Sequence, residues 1–403
     1  MSARKLRLLV LNQYYWPGFE ATAHLLAELC EGLADEFDIT VVTATLGVPH
    51  DTEAGVAERN GVTIVRVGAT TYDRAQLSRR ALNYVTYLVR ALLAAGRAER
   101  PDVVVCMTDP PVVGDVALVV ARRFGVPLLV ISQDVFPEIA VQLGRLENPA
   151  LIGLLRRLIR LYLRRADGVV AIGETMRERL VGKGARRERI SVIPNWVDTE
   201  RIRPAPKDNE WARQQGFAGR FVVMHSGNIG HAQNLDALVR ATTFLRDLDD
   251  LTVAIVGGGA RHAALAELVE TLEADAVTFL GYQPRESLSL SLSSADVHVV
   301  GLARGLAGYV VPSRVYGILA AGRPLIVAAE AESETARLVE RVGCGVVVAP
   351  GRPELLGRVI RSAHDGELDL EEMGRRGREY AEREADRRVA IERYRKVLRG
   401  LTG

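Results

Sequence analysis

The sequence predicts two α/β domains of Rossmann-like, doubly wound architecture and comparable size. Three observations carry this. Strand and helix signals alternate almost throughout; several strand segments are apolar along their whole length, as in parallel sheets covered on both faces; and the alternation restarts after a polar, proline-bearing stretch at 200–220. A chain of 403 residues is also too long for one ordinary core.

In the first series, 6–11 reads as a strand, 22–35 as an amphipathic helix, and 39–43 and 62–67 as strands. A long helix at 76–98 leads into the buried strand 103–107. Helix 113–124, strand 128–132, helix 150–165, strand 168–172, helix 175–181 and strand 190–193 follow. Pro204 and Pro206 mark the linker. The second series runs strand 221–225, helix 235–245, strand 253–256, helix 261–272, strand 277–280, helix 285–294 and strand 297–302. Next comes Val311-Pro312-Ser313-Arg314, opening a short helix that stops at Gly322 before Pro324, then a buried strand. Helices at 332–341, 353–364 and one long charged helix from 370 complete the chain. The expected divisions are 1–198, 199–370, and terminal helices at 371–403 that cross back to the first domain.

Composition narrows the function. Apolar residues make up 48% and charged residues 25%, an ordinary globular balance, and a net charge of +2 gives no reason to expect nucleic acid. Cys30, Cys106 and Cys344 are isolated within apolar patterns, which points to buried thiols in a reducing, cytoplasmic setting. The N-terminus has no signal-peptide core and no run is long enough to span a bilayer.

Glycine loops and strand ends locate the candidate site. Ser313 is the expected N-cap, with a secondary role on phosphate. Arg314 in the first turn sets a guanidinium beside free helix amides, the arrangement that holds a phosphate; the bland alternative is a solvated arginine. Gly227-Asn228-Ile229-Gly230 lies between strand and helix, where glycines let backbone approach a ligand; His231 and Gln233 extend it. Gly257-Gly258-Gly259 is a second such turn, without the third glycine spacing of a dinucleotide fingerprint. Asp247-Leu248-Asp249 resembles a metal-binding DxD but sits in a charged turn, so no catalytic metal and no cofactor are expected.

Five segments in order carry a resemblance: Asn12-Gln13-Tyr14-Tyr15-Trp16-Pro17-Gly18, Gln133-Asp134-Val135-Phe136-Pro137-Glu138, Ile193-Pro194-Asn195-Trp196-Val197-Asp198, Ser226-Gly227-Asn228-Ile229-Gly230 and Val311-Pro312-Ser313-Arg314. Together the chain resembles a bacterial family 4 glycosyltransferase of the GT-B fold, similar to the N-acetylfucosaminyl and colanic-acid transferases of the exopolysaccharide and O-antigen branch. The resemblance implies two domains facing across a cleft and a retaining transfer. It places a nucleotide-diphosphate sugar, a UDP-sugar, on the C-terminal domain and the acceptor on the N-terminal one.

On that reading Arg314 stabilises the departing diphosphate and Asp134 holds an acceptor hydroxyl or the sugar. Gly227, Asn228, Gly230, His231, Gln233, Gly257, Tyr309, Pro312, Ser313 and Arg314 surround the donor, with Tyr282 and Gln283 on its base. Tyr15, Phe19, Glu20, Thr22, Asp109 and Asp134 form the acceptor side. Glu138 reads as a salt bridge rather than a ligand. The chain departs from the family pattern where Tyr309 and Gly317 stand in place of its Glu-x7-Glu pair, and where Gln233 or Asn234 replaces a lysine after the glycine loop.

Helices 151–165 and 76–98 are apolar and arginine-bearing. They either lie on anionic lipid at the inner face of the membrane, with a polyprenyl-linked glycan as acceptor, or pack in the core with solvated arginines. A UDP-sugar 2-epimerase, a soluble natural-product glycosyltransferase and a non-catalytic sugar binder are the alternatives. The epimerase would need more acid–base side chains than the candidate loops carry.

Overall fold

The computed structural model describes residues 4–18, 21–45, 52–70 and 77–402. The chain divides into two compact units, Met1–Pro194 with Arg388–Gly403, and Asn195–Arg387.

The first unit is built on the strands β1 (Leu6–Leu11), β2 (Phe37–Ala44), β3 (Gly55–Arg59), β4 (Val62–Val67), β5 (Val103–Cys106), β6 (Leu128–Ser132), β7 (Gly168–Ala171) and β8 (Ile190–Val192). They form one sheet in the order β3-β4-β2-β1-β5-β6-β7-β8. All pairings are parallel except β3 on β4. Its helices are α1 (Ala21–Leu33), α2 (Leu77–Arg97), α3 (Val113–Phe124), α4 (Glu138–Gln142), α5 (Pro149–Arg165) and α6 (Glu174–Gly182). The central strands β5, β6 and β7 are buried at every position, which only helices on both faces permit. The antiparallel edge strand β3 was not foreseen: Gly55-Val56-Ala57-Glu58-Arg59 is short and charged, and its outward side chains blunt the sheet edge.

Local signals end the helices where the sequence says. Asn148 caps α5, its side chain accepting from the N–H groups of Ala150 and Leu151, with Pro149 at the first helical position. Gly125 closes α3 in the left-handed conformation at φ 65°.

The second unit comprises α7 (Glu210–Gln214), β9 (Phe221–Ser226), α8 (Asp236–Ala241), β10 (Leu251–Val256), α9 (His262–Thr271), β11 (Val277–Leu280), α10 (Leu288–Ser293), β12 (Val297–Gly301), α11 (Arg314–Ala320), β13 (Leu325–Ala328), α12 (Glu334–Val342), β14 (Gly345–Val348), α13 (Pro353–His364) and α14 (Leu370–Glu384). Its six strands run parallel in the order β11-β10-β9-β12-β13-β14. The order reverses between β9 and β12, and beside such a switch point open α/β sheets bind ligands at the strand C-termini.

Several expected elements are shorter or divided. Helix 235–245 is α8 followed by a 3-10 turn at Thr242–Phe244, where the Thr242 and Thr243 hydroxyls donate back to the carbonyls of Val239 and Arg240. Helix 285–294 begins as a 3-10 turn at Arg285–Ser287. The linker contains α7, and strand β14 was not foreseen. The long charged tail is two helices, α14 and α15 (Arg387–Thr402). α15 packs on α1 within the first unit, where Ile391 occupies the space above Gly32 and Arg395 pairs with Asp35 at 2.6 Å.

Cys30, Cys106 and Cys344 are buried and free of disulfides. One buried group works against folding. Both carboxylate oxygens of Asp115, in the first turn of α3, lack a hydrogen-bond partner, and desolvation pushes the carboxyl from the ordinary 3.8 up to about 7. The folded chain therefore holds this proton through a window in which the unfolded chain has released it. Stability is lost as pH rises from 3.8 to about 7. Asp115→Asn is expected to stabilise at pH 8 by on the order of 1–2 kcal/mol, after discounting for the group's partial exposure, and by little near pH 4. Thermal melts of both proteins at the two pH values test this; a difference that does not grow with pH would refute it.

Candidate functional site

In the second unit the site is built where the strand-ending loops converge. β9 ends at Ser226, and Gly227 (φ 132°) carries the chain off the sheet, its N–H donating to the Val256 carbonyl at 2.8 Å. Gly257 (φ 135°) does the same after β10, so close that a Cβ would sit 2.0 Å from the Gly227 carbonyl oxygen. Ile229 donates to the Gly258 carbonyl at 2.9 Å and accepts from the Arg261 N–H at 3.0 Å. The two glycine turns are thus laced into one surface, and no residue with a side chain fits at Gly257.

The loop's far side closes on β12. A Cβ at Gly301 would lie 2.0 Å from the Gln233 carbonyl, and Ala303 donates to the Ala232 carbonyl at 2.8 Å. Gln233 itself folds back, Oε1 accepting from the Gly230 N–H at 3.0 Å. It holds the loop's shape and brings no charge in place of the family lysine. Asn234 takes the left-handed conformation at φ 48°. Asn228 and His231 are exposed on this loop.

Arg314 reaches into the turn. A Cβ on Gly227 would meet its Cζ at 3.3 Å, so the missing side chain makes room for the guanidinium. Nη1 donates to His225 Nε2 at 2.6 Å, and Nη2 lies 3.4 Å from the Asn228 carbonyl. No carboxylate stands within ion-pair distance of Arg314 among the described residues. Burial pulls its pKa down to about 10, which leaves it protonated at any physiological pH. Two other half-buried arginines are paired with carboxylates: Arg395 with Asp35, and Arg378 with Glu382 at 2.7 Å. A desolvated cation normally requires a partner; Arg314 has a neutral ring and a carbonyl.

His225, fully buried at the end of β9, was missed by the sequence reading. Burial and the neighbouring Arg314 charge hold its pKa well below the usual histidine range, so it remains a neutral acceptor that orients the guanidinium. The available signal was a titratable residue closing an otherwise apolar strand just before Ser226-Gly227. Glu330 was missed as well. It follows β13 and accepts from the Gly305 N–H at 2.9 Å, anchoring the loop that carries Tyr309.

Other expected residues fall as follows. Ser313 does not cap α11: its backbone is already helical (φ −64°, ψ −24°) and its hydroxyl makes no capping bond, since Pro312 ahead of it keeps the chain turning into the helix. Pro312 and Tyr309 are half-buried in the loop leading to Arg314. A Cβ at Gly317 would meet only Leu292 and Ile202 side chains at 3.5 and 3.7 Å, ordinary contacts, so the position is not glycine for lack of space. Tyr282 lays its ring over Gly258, donates to that residue's carbonyl at 2.9 Å, and leaves 66% of itself exposed. Gln283, expected beside the base, is half-buried and bonded within its own unit. Its Oε1 accepts from Trp211 Nε1 at 2.8 Å and its Nε2 donates to the Gly281 carbonyl at 2.9 Å, so both ends of the amide are engaged. Asp247 is held by Arg361 at 2.6 Å.

In the first unit the loops after β1, β5 and β6 meet at one sheet edge. The Thr22 hydroxyl donates to Asp109 Oδ2 at 2.9 Å, and the Asp109 N–H donates to Asn12 Oδ1 at 3.3 Å. The Thr108 hydroxyl accepts from the N–H groups of Gln133 and Asp134 at 3.2 and 3.4 Å. Thr22, Asp109 and Asp134 therefore share one edge, with Asp134 half-exposed. Tyr15 does not belong there. It is 1% exposed, packed beside Cys30 in the core, because the loop turns its ring inward after β1. Phe19 and Glu20 lie outside the described residues. Glu138 accepts from Arg156 at 3.1 Å and also pairs with Lys183, a structural ion pair.

Comparison with known proteins gives this arrangement a family. Residues 21–196 match the glycosyl transferase 4-like domain, and residues 207–380 match the glycosyl transferases group 1 domain. The chain belongs to the family 4 glycosyltransferases. WcaI of Escherichia coli K12, named for colanic acid biosynthesis, is 27% identical to this glycosyltransferase over 98% of the chain and 100% of its own length. WbjE of Pseudomonas aeruginosa, named as a glycosyltransferase, is 26% identical over 81% of each protein. The N-acetylfucosaminyl subdivision has no counterpart in these matches. Among solved structures, the sucrose-phosphate synthase of Thermosynechococcus elongatus superposes with a TM-score of 0.79 at 18% identity, covering 98% of this chain and 99% of that one. Anabaena HepE, solved in complex with UDP, superposes at 0.75 and 15% identity over 98% and 100% of the two chains. The fold of this glycosyltransferase is accordingly GT-B.

Proposed function

We propose that this glycosyltransferase moves a sugar from a UDP-sugar to an acceptor hydroxyl with retention, the acceptor being a polyprenyl-diphosphate-linked glycan in cell-surface polysaccharide assembly. The observation that carries the reading is Arg314: a protonated, half-buried guanidinium with no carboxylate partner among the described residues, at the mouth of a double glycine turn. It supplies what a departing diphosphate needs. As the bond from the anomeric carbon to the phosphate oxygen breaks, negative charge gathers on that oxygen, and a preorganised cation stabilises the transition state more than the ground state. His225 fixes the guanidinium without taking its charge.

The acceptor oxygen attacks the same face that the diphosphate leaves, and its proton passes to the departing phosphate oxygen. That front-face route retains configuration, needs no protein nucleophile, and draws its rate from positioning and charge. Arg314 carries the cationic role, so the scheme runs without a metal. The exposed ring of Tyr282 stacks the uracil, and Asp134, in the first unit, holds the acceptor hydroxyl. Similarity to WcaI supports the polysaccharide context, and the UDP complex of HepE supports the donor base. No helix among the described residues is long and apolar enough to cross a membrane.

Thermal-shift measurements with UDP, GDP and ADP, followed by the corresponding nucleotide sugars, test the donor. UDP is expected to raise the melting temperature above the other two, and a UDP-sugar to be consumed in the presence of membrane lipid extract. Stabilisation by GDP alone would reject the base; no stabilisation by any of them would reject the site.

A further inference from the structure

The layer α2-α3-α5 on the first unit inverts the usual rule for surface helices. From Leu82 onward, α2 buries a stripe of Asn83, Tyr87, Ala91 and Ala95, mostly small or polar-tipped side chains. Its larger aliphatic residues point to solvent: Leu82, Val85, Val89, Leu92 and Leu93 are 46, 55, 55, 37 and 53% exposed. Their spacing of 3, 4, 3 and 1 residues puts all five on one helical arc opposite the buried stripe. α3 packs alongside and exposes Val119. α5 packs on α3 in turn, Tyr162 lying flat against Gly114, and exposes Leu151, Leu154 and Leu161 on the flank next to that tyrosine. Nine of the thirteen exposed large apolar side chains among the described residues fall on these three neighbouring helices. Single exposed leucines need no explanation, but a contiguous patch marks an interaction surface.

The charges choose the partner. These helices carry four, two and five arginines, against a single carboxylate, Asp115, which is turned inward. Arg122, Arg123, Arg157, Arg160 and Arg164 make no ion pair among the described residues. On α5, Arg157 and Arg164 border the leucine stripe on the side away from Tyr162 and Arg165 falls within it, so the apolar stripe carries cations along its border. A second copy of the same face would bring the arginine rims together, which like-charge repulsion opposes. We propose that the outer face of α2, α3 and α5 is a docking surface for an anionic lipid bilayer. The aliphatic stripe enters the headgroup boundary and the arginines rest on lipid phosphates. The inference uses the first unit alone, and so stands or falls apart from the donor reading, though it would bring the enzyme to a lipid-linked acceptor.

The test is co-sedimentation of the full chain with vesicles of phosphatidylcholine, with and without phosphatidylglycerol. Binding is expected with phosphatidylglycerol and should weaken as salt is raised. Val89→Glu with Leu93→Glu, both at exposed positions, is expected to lower partitioning by about tenfold or more. The same variant should keep the wild-type melting temperature and UDP response. Absence of wild-type binding to the anionic vesicles would overturn the proposal, as would equal binding by the variant. So would a concentration-dependent dimer that the variant abolishes, since the face would then belong to a second copy.

Discussion

Arg314→Ala is expected to reduce transfer by roughly 10²–10³-fold and UDP affinity by about 10- to 100-fold, measured by turnover and by calorimetric titration. The same change should leave the melting temperature of the ligand-free protein unchanged or slightly higher. The guanidinium is partly desolvated without a carboxylate, so its removal strands no buried anion and relieves some solvation cost. Arg395→Ala makes the contrast, because it would leave Asp35 without its partner at 2.6 Å and destabilise the α1–α15 contact while sparing donor binding. Arg314→Lys should recover only part of the loss. An ammonium keeps the charge but not the planar fork that reaches His225 and a phosphate together. A destabilised apo protein with unchanged UDP affinity would mean that Arg314 is a structural residue and that the diphosphate binds elsewhere.

The architecture was legible because its signals are local and repeated. Apolar runs such as Val103–Cys106 and Leu128–Ser132 announce parallel strands, and Asn148-Pro149 and Gly125 fix helix ends through backbone geometry that neighbours do not alter. β3 and β14 escaped because each is held by its sheet partner and not by its own propensity, one charged and one opened by glycine. Within the candidate site, the placement of Arg314 and of the glycines at 227 and 257 at strand-turn-helix junctions could be read, since topology sets it. The surroundings of Tyr15, Gln283 and Ser313 could not, because they depend on where a side chain points after a turn: into the core, onto Trp211, and off an already helical backbone. His225 escaped for the opposite reason. A histidine inside an apolar strand reads as core, and only the approach of Arg314 from 89 residues downstream gives it a partner.

Gly257→Ala is expected to be the most damaging small substitution in the second unit. Two costs act at the same atom. At φ 135° a residue with a Cβ is strained by about 1–3 kcal/mol, and here the new Cβ would also overlap the Gly227 carbonyl oxygen at 2.0 Å. No rotamer change relieves that overlap, because both atoms belong to backbone. The loop must move, and the hydrogen bonds from Gly227 to Val256 and from Ile229 to Gly258 move with it. A loss of at least about 3 kcal/mol is expected, seen as a melting temperature lower by roughly 6–12 °C. Gly281→Ala is the control: it also follows a strand of the same sheet, but its Cβ would meet nothing within 4 Å, and stability should be unchanged. Donor affinity should fall with Gly257→Ala even at temperatures where the protein is fully folded, because Gly227 shapes the space that Arg314 occupies at 3.3 Å. If the variant loses stability yet binds UDP as the parent does, the glycine turn is a folding device and the diphosphate does not rest on it. If both fall together, one carbonyl-to-glycine contact supports the fold of the second unit and the geometry of its cation.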